Sequence, residues 1–519
     1  MTPRSAVASP VAGVVAAWVA MVAHFVRLHV TATRSLVFED QAILWDFARD
    51  LRRGTFRQLD FPGQFYDSSL EAVPAAGLGA LGLSDSDAYS LGMLGVTLLA
   101  WSAMGVAVHR RRQPLLAVAV LLVPVAMTID NSLVSLMWAT AIPRVMAVIV
   151  AAVVIGSQRP SLRWVVLVAV GGCAVLLDSS TLLLIVPVGV WLARRDFPDI
   201  PWRTVAVSAV APVVVALGRE LHHRANPALD FHPGHEFGFG IKPIRWHLQN
   251  PTRSLREYGP ELFHIPVLRT AAVVLVLAAV ALLIVRQADR AARWSLVAAG
   301  VIGFAYYASH ASLRSVESLT PLPSAGRGVM ALPFLVVFLA AVARPSERMQ
   351  ARVVAAMVVL AVGGFVHGLM ADSADEFVES VQAAGVMELV EVSVVEARCD
   401  DLAAVVNAET SPVVLSSSRV TAWACSALLE DSFGPDVTVL FPTYERRVWE
   451  LKRFWSAPQT SWVVWGGGLG GCDAVSEAVA CGVPRQDIAV MRTPEWRIDQ
   501  TAWGSGLGMR WLPDGFPDD

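Results

Sequence analysis

Charge is scarce in this chain. Only 16% of its 519 residues are Asp, Glu, Lys or Arg, 55% are hydrophobic, and the mean hydropathy is +0.53. That balance excludes an ordinary soluble protein. Lysine is almost missing: Lys242 and Lys452 are the only two, so 39 of the 41 cations are Arg. With so much Ala and Val, this fits a GC-rich bacterial genome. The cations are spread over many loops without interleaved aromatics, which excludes a nucleic-acid-binding patch. No fixed-period repeat runs through the chain. No small-residue cleavage site follows the first apolar run, which therefore reads as an uncleaved span and not a signal peptide. Cysteine is rare, five in all. Only Cys173 falls among the apolar runs, where it reads as an inert packing residue.

What is present divides in two. Residues 1–370 hold nearly all the long Val/Ala/Leu runs, and residues 371–519 read as a water-soluble domain. The second part carries ten Lys and Arg against twenty-three Asp and Glu, a net −13; with −3 for the whole chain, +10 remains on the first. About eleven apolar segments have the roughly 16–24 residues that a hydrocarbon core requires. They fall near 11–30, 86–108, 114–129, 139–157, 163–177, 180–194, 203–218, 269–286, 294–309, 327–343 and 352–369. With the N-terminus inside, every inner loop is Arg-rich: Arg110 to Arg112, Arg159 with Arg163, Arg194 with Arg195 and Arg203, Arg286 with Arg290 and Arg293, Arg344 with Arg348 and Arg352. The short outer loops around Asp130 and Asp178 carry no cation between their spans. The expected fold is a polytopic α-helical membrane protein in a bacterial plasma membrane, with a C-terminal extracytoplasmic α/β domain. Residues 31–85, 219–268 and 371–519 are then outside the cytoplasm.

In the tail, strand-like runs at Pro412–Leu415, Val437–Phe441, Trp462–Trp465 and Ile488–Met491 alternate with helix-like pieces at Thr421–Glu430, Glu445–Trp455 and Asp473–Ala480. This predicts a small, mostly parallel sheet. Cys399, Cys425, Cys472 and Cys481 in an oxidising compartment allow two disulfides in three connectivities. Cys399–Cys425 and Cys472–Cys481 are expected because they close short loops. Gly466 to Gly471 contains G-x-G-x-x-G after a strand. With Cys472 adjacent and no acid on the next strand, it reads as a flexible loop and not a dinucleotide site. Eight of the seventeen Trp lie in the tail, as core, docking or sugar-stacking residues.

Phe38-Glu39-Asp40-Gln41 is the segment that points to chemistry. Carboxylates beside a span are costly unless they face water, a partner or a substrate. A helix is expected from Asp40 to Arg53, stopped by Gly54. Ile43, Phe47 and Leu51, with Leu44, form one apolar face. Asp46, Arg49, Asp50 and Arg53 lie elsewhere, which predicts a helix lying in the membrane interface. From these residues alone Asp40 is either an N-cap or an ionised base held at a helix N-terminus. Asp130, with Asn131 and Ser132, and Asp178 begin outer loops, as solvated turns or as ligands for an acceptor or metal. His232 and His235 have a spacing that suits a metal on a helix, but Pro233-Gly234 between them opposes one.

The run Phe38-Glu39-Asp40-Gln41-Ala42-Ile43-Leu44-Trp45-Asp46-Phe47-Ala48-Arg49 resembles the first outer loop of C-type glycosyltransferases that use polyprenyl-phosphate sugars. The protein O-mannosyltransferase and aminoarabinose transferase group is nearest. Gly63-Gln64-Phe65-Tyr66-Asp67-Ser68-Ser69-Leu70-Glu71-Ala72 resembles the segment before the second span in bacterial members. The resemblance implies that Asp40 is the catalytic base or positions the acceptor. The family often has Asp-Glu where this chain has Glu-Asp, so the acting carboxylate is either Asp40 or Glu39. It puts Gln64, Tyr66 and Asp130 on the acceptor side. It implies a polyprenyl-phosphate-linked sugar donor in the bilayer, and a cell-wall glycan, lipid or protein acceptor. The donor phosphate needs cations, for which Arg327 is first choice, with Arg144 and Arg245, then Arg219 and Arg314; each alone also suits an interfacial anchor. Some members need a divalent metal and others none. Two other classes stay open: a transporter or flippase of a lipid-linked glycan, and a non-catalytic envelope scaffold. Transporters place ionisable groups near the midplane, whereas the acids here sit at the ends of spans.

Overall fold

The computed structural model describes residues 10–54, 60–61, 64–127, 141–225, 235–239, 245, 260, 262–263, 265–313, 316–321, 331–370, 389–406, 412–416, 424–425, 438–440, 461–465 and 488–491. Helix α1 (Pro10–Leu28) runs into a π turn at His29–Thr33, then β1 (Leu36–Phe38) and α2 (Glu39–Arg52). The short strands β2 (Asp60–Phe61) and β3 (Gln64–Ser68) pair, and α3 (Ala72–Gly79) leads into α4 (Asp85–Arg110). Next come α5 (Pro114–Ala126) and α6 (Ala141–Gly156). Then α7 (Pro160–Val165) continues through a π turn at Val166–Val170 into α8 (Gly171–Leu177). Helices α9 (Leu182–Asp196), α10 (Trp202–Ser208) and α11 (Val210–Ala225) follow, then β4 (His235–Phe239), α12 (Pro266–Gln287) and α13 (Arg290–Tyr307). Strands β5 (Ser309–Leu313) and β6 (Val316–Pro321) precede α14 (Ala331–Ala343) and α15 (Glu347–Met370).

Local chemistry accounts for these helices. Ser84 Oγ accepts the Asp87 N–H at 3.2 Å, Asp85 and Asp87 occupy the first turn of α4, and His109 and Arg110 occupy its last. That matches the helix dipole at both ends. Proline opens α5, α7 and α12, where a missing N–H costs nothing. Gly105 lets α4 approach α5, since a Cβ there would sit 2.7 Å from Leu121 Cδ2.

Helix lies at all eleven positions where a span is expected. Six helices among the described residues are long and apolar enough to cross a membrane: Val11–Thr33, Asp85–Arg110, Pro160–Leu177, Trp202–His222, Pro266–Arg286 and Glu347–His367. Shorter apolar helices at Pro114–Ala126, Ala141–Gly156 and Ala331–Ala343 form the centre, with Leu121, Val148, Ala151 and Phe338 buried. The outer helices expose Val207, Leu275, Val301 and Val359. In water that would be a large unpartnered apolar surface, and in lipid it is the expected one. The chain is a multi-pass membrane protein.

The bundle has two distinct ends. At one, Gln113 Nε2 donates to Ala341 O at 2.9 Å, Gln350 Oε1 accepts the Leu116 N–H, and Arg163 pairs with Asp196. These are the Arg-rich loops. At the other, Glu71 reaches the start of α6, Arg144 meets Asp178, Arg219 donates to Leu176 O at 2.8 Å, and Met127 bridges Pro260. Beyond α11, β4, β5 and β6 form an antiparallel sheet.

Strand β1 pairs antiparallel with β7 (Leu389–Glu391), Leu36 opposite Glu391 and Phe38 opposite Leu389. The tail is therefore tied to the backbone immediately before Glu39. Helix α16 (Val392–Val406) follows, and Cys399 is disulfide-bonded to Cys425, as expected from the sequence. Strands β8 (Pro412–Ser416), β9 (Thr438–Leu440), β10 (Ser461–Trp465) and β11 (Ile488–Met491) form one sheet in the order β11-β10-β8-β9. Strand β8 is parallel to both neighbours and β11 antiparallel to β10, so the sheet is mostly parallel. Cys472, Cys481, Gly466 to Gly471 and the helix-like pieces at 445–455 and 473–480 lie outside the described residues.

Candidate active site

The site is built from where α2 begins. Phe38 is extended (φ −124°, ψ 169°), and its N–H donates to Gln41 Oε1 at 3.0 Å. Phe38 is thus the N-cap. Glu39 and Asp40 are the first two residues of the helix, not caps, which corrects the capping alternative for Asp40. Both stand where the helix dipole favours an ionised carboxylate. Gly54 ends the element as expected, at φ +77° just past the last turn. Only glycine adopts that left-handed geometry without steric cost.

The surroundings of α2 correct a second expectation. Its polar face is not wetted. Every residue from Gln41 to Asp50 is buried, against α3 and α4. Asp46 and Arg49, 2% and 4% exposed, pair at 2.6 Å on consecutive turns. An acid and a base three residues apart on a helix can satisfy each other and enter the interior together, which hydrophobic periodicity alone does not reveal.

The same loop continues through β3 to Glu71, whose carboxylate is fully buried and whose Oε1 accepts the Ile142 N–H at 2.8 Å. This pins the first turn of α6 beside the loop, and Arg144 is two residues further. Arg144 is 2% exposed. Its Nε donates to Asp178 Oδ2 at 2.9 Å and to Ser180 Oγ at 3.3 Å. The Asp178 carboxylate also accepts from the Ser180 N–H at 2.8 Å and the Ser180 hydroxyl at 2.9 Å. Asp178 is therefore an orienting counter-charge and not a solvated turn. Nη1 and Nη2 of Arg144 are buried with no hydrogen-bond partner among the described residues. One edge of the guanidinium is fixed, and the opposite two nitrogens are left for an acceptor, the geometry that suits a phosphate or carboxylate.

An apolar groove of about 240 Å³ opens near the same end, lined by Val123, Met127, Phe263, Val273, Val276 and Leu332 among others. It adjoins the Met127–Pro260 bridge. An apolar chain suits it, and a charged group does not.

The other candidates are dispersed. Gln64 and Tyr66 lie on β3, Gln64 opposite Phe61. Arg245 is exposed. His235 lies on β4 opposite Leu313, a strand where three-residue helical spacing does not apply. Asp130, His232, Arg314 and Arg327 lie outside the described residues. No group of three His, Cys, Asp or Glu is placed to hold a metal among the described residues. Sequence reasoning named Arg144 and Asp178 separately and missed their pairing. It also missed Glu71 as a buried strut; nothing in the local pattern distinguishes it from a surface acid.

No protein-family model matches the chain, and none of the curated proteins does. Solved structures do. ArnT from Cupriavidus metallidurans in the apo state aligns with TM-score 0.53 at 15% identity, over 92% of this chain and 98% of that one. ArnT from the same organism bound to undecaprenyl phosphate aligns with TM-score 0.54 at 14% identity, over 91% and 97%. At this identity the likeness concerns architecture, and it extends well past the first hundred residues that carry the sequence resemblance. The chain has the fold of ArnT, a polytopic helical membrane domain continued by the tail, over nine-tenths of its length.

Proposed function

We propose that this protein is a membrane glycosyltransferase that moves a sugar from a polyprenyl-phosphate donor to a hydroxyl of an extracytoplasmic glycan, lipid or protein. The observation that carries this reading is Arg144: a buried guanidinium, oriented by Asp178, with two nitrogens that have no partner among the described residues, two residues from the strut to the Asp40 loop. The ArnT fold supports it, as does an ArnT structure holding undecaprenyl phosphate. Residues 1–370 form the membrane unit in this reading, and 371–519 an extracytoplasmic domain that holds the acceptor or covers the site.

In the reaction, the donor's isoprenoid chain lies against the apolar groove, and its phosphate accepts from Arg144, assisted by Arg327 or Arg245. Asp40, with Glu39 beside it, takes the proton of the acceptor hydroxyl. The hydroxyl oxygen forms a bond to the anomeric carbon while the bond from that carbon to the phosphate oxygen breaks. The electron pair leaves with polyprenyl phosphate, whose charge Arg144 stabilises. Gln64, Tyr66 and Asp130 contact the acceptor. A divalent metal is a candidate cofactor, and no step above requires one.

The test is transfer itself. Full-length protein in nanodiscs is incubated with radiolabelled polyprenyl-phosphate mannose, arabinose and related sugars, together with cell-envelope acceptors. Label appearing in the acceptor with at least one donor is expected. No transfer over the whole panel, by protein that is folded by thermal melting, rejects the enzyme reading in favour of a flippase or scaffold.

A further inference from the structure

At the end of the bundle opposite Arg144, two arginines stack on one tryptophan, and the charges of two more act on them. Trp191 of α9 is 2% exposed. The guanidinium carbon of Arg111 lies 5.4 Å from its ring centroid and that of Arg195 lies 4.9 Å away. Arg163 of α7, 4% exposed, gives Nη2 to Asp196 at 3.4 Å. Arg344, at φ +52° just after α14, adds a fourth cation, and its charge acts on Arg111 together with those of Arg195 and Arg163. A left-handed backbone at a non-glycine residue carries strain that its surroundings must offset.

The available acids are already engaged. Asp196 Oδ2 accepts the Trp164 indole N–H at 3.1 Å, and Asp289 Oδ1 caps α13 through the Ala292 N–H at 2.8 Å. Four cations thus face two carboxylates. Burial first, then Arg344 and Arg195, draw the Arg111 guanidinium down to about 10. Nε and Nη1 of Arg163, Nε of Arg111 and Nε1 of Trp191 are all buried without a hydrogen-bond partner among the described residues. Each such buried donor left unmade carries a desolvation cost that an acceptor would remove. Clustered like charge, with four donors unmet among the described residues, makes this place suited to an anionic acceptor.

Beside this basin runs a groove of about 610 Å³ between α4, α6 and α7, with Ala103, Val106 and Leu162 on its walls and Arg110 and Arg159 at its edge. Arg111 Nη1 reaches Ile155 O at 3.5 Å, next to Gly156 in the groove wall. We propose that the Arg111–Arg163–Arg195–Arg344 basin binds a phosphate-bearing anion, its phosphate held by the guanidinium forks and any acyl chains laid in the adjoining groove. Planar guanidiniums match phosphate oxygens two at a time, and the net positive basin selects for charge. The site is independent of the transfer reaction proposed for the opposite end.

The test uses the full chain in uncharged detergent. Its thermal midpoint is followed against short-chain phosphatidylglycerol, phosphatidylcholine of the same chain length, and inorganic phosphate. Expected is a rise with phosphatidylglycerol and none with phosphatidylcholine, with apparent affinity weakened tenfold or more in the double variant Arg195→Gln/Arg344→Gln. Both substituted residues are exposed, so folding does not depend on them as it does on Arg163. A rise with inorganic phosphate alone that the double variant removes also supports the basin, with a soluble ligand in place of a lipid. No rise with either phosphate source, or a rise that survives the double variant, overturns the proposal.

Discussion

Arg144 divides its guanidinium between a structural and a chemical role. Its Nε holds Asp178 and Ser180, while Nη1 and Nη2 have no partner among the described residues. A hydrogen bond to a charged group contributes about 1.5–3 kcal/mol. Arg144→Gln should therefore weaken binding of undecaprenyl phosphate about tenfold to a hundredfold, measured by titration in nanodiscs. Unchanged affinity would remove Arg144 from the phosphate site. Asp46 is the contrasting case, a buried acid whose pairing with Arg49 serves the fold. Asp46→Ala leaves that arginine without its carboxylate and should destabilise the protein by about 3 kcal/mol. The readout is the thermal midpoint, and a shift within error would contradict the buried-pair account. The sequence marks Arg144 as a cation at the end of a span, but its partner lies 34 residues away in the turn after α8. Local spacing carries no record of such a contact.

Helix α2 is legible in part. Its stop at Gly54 follows from the glycine rule and is observed, whereas its start falls at Glu39, one residue before the expected Asp40, with Phe38 as the cap. Its environment is not legible, because a charged face reads as a wetted face unless the acid and base are known to pair. Gly54→Val forces a β-branched residue into the left-handed region, at a cost of about 1–2 kcal/mol. Chemical denaturation should show that loss. A smaller one would mean that the turn relaxes and that the end of α2 is not held. Strand β1 adds what no local pattern contains: its partner is β7, more than three hundred and fifty residues on. The tail thus joins the loop at the residues preceding Glu39, where movement of one would be felt by the other.

Across the whole molecule, helix positions and the tail's strands are readable because apolar runs and strand–helix alternation are dictated locally. The Arg-rich loops also gather at one end, as the charge pattern predicts. The sites at both ends are harder to read, since each is assembled from side chains on several helices. The central claim is that Asp40, at the first turn of α2, acts as the base in sugar transfer. Its most direct test is the single-turnover rate of Asp40→Asn beside wild type, under donor saturation confirmed by undecaprenyl-phosphate competition. A positioned base contributes about 10²–10⁴ in rate. The account predicts a fall of at least about a hundredfold with donor affinity retained; a variant within a few-fold of wild type would contradict it.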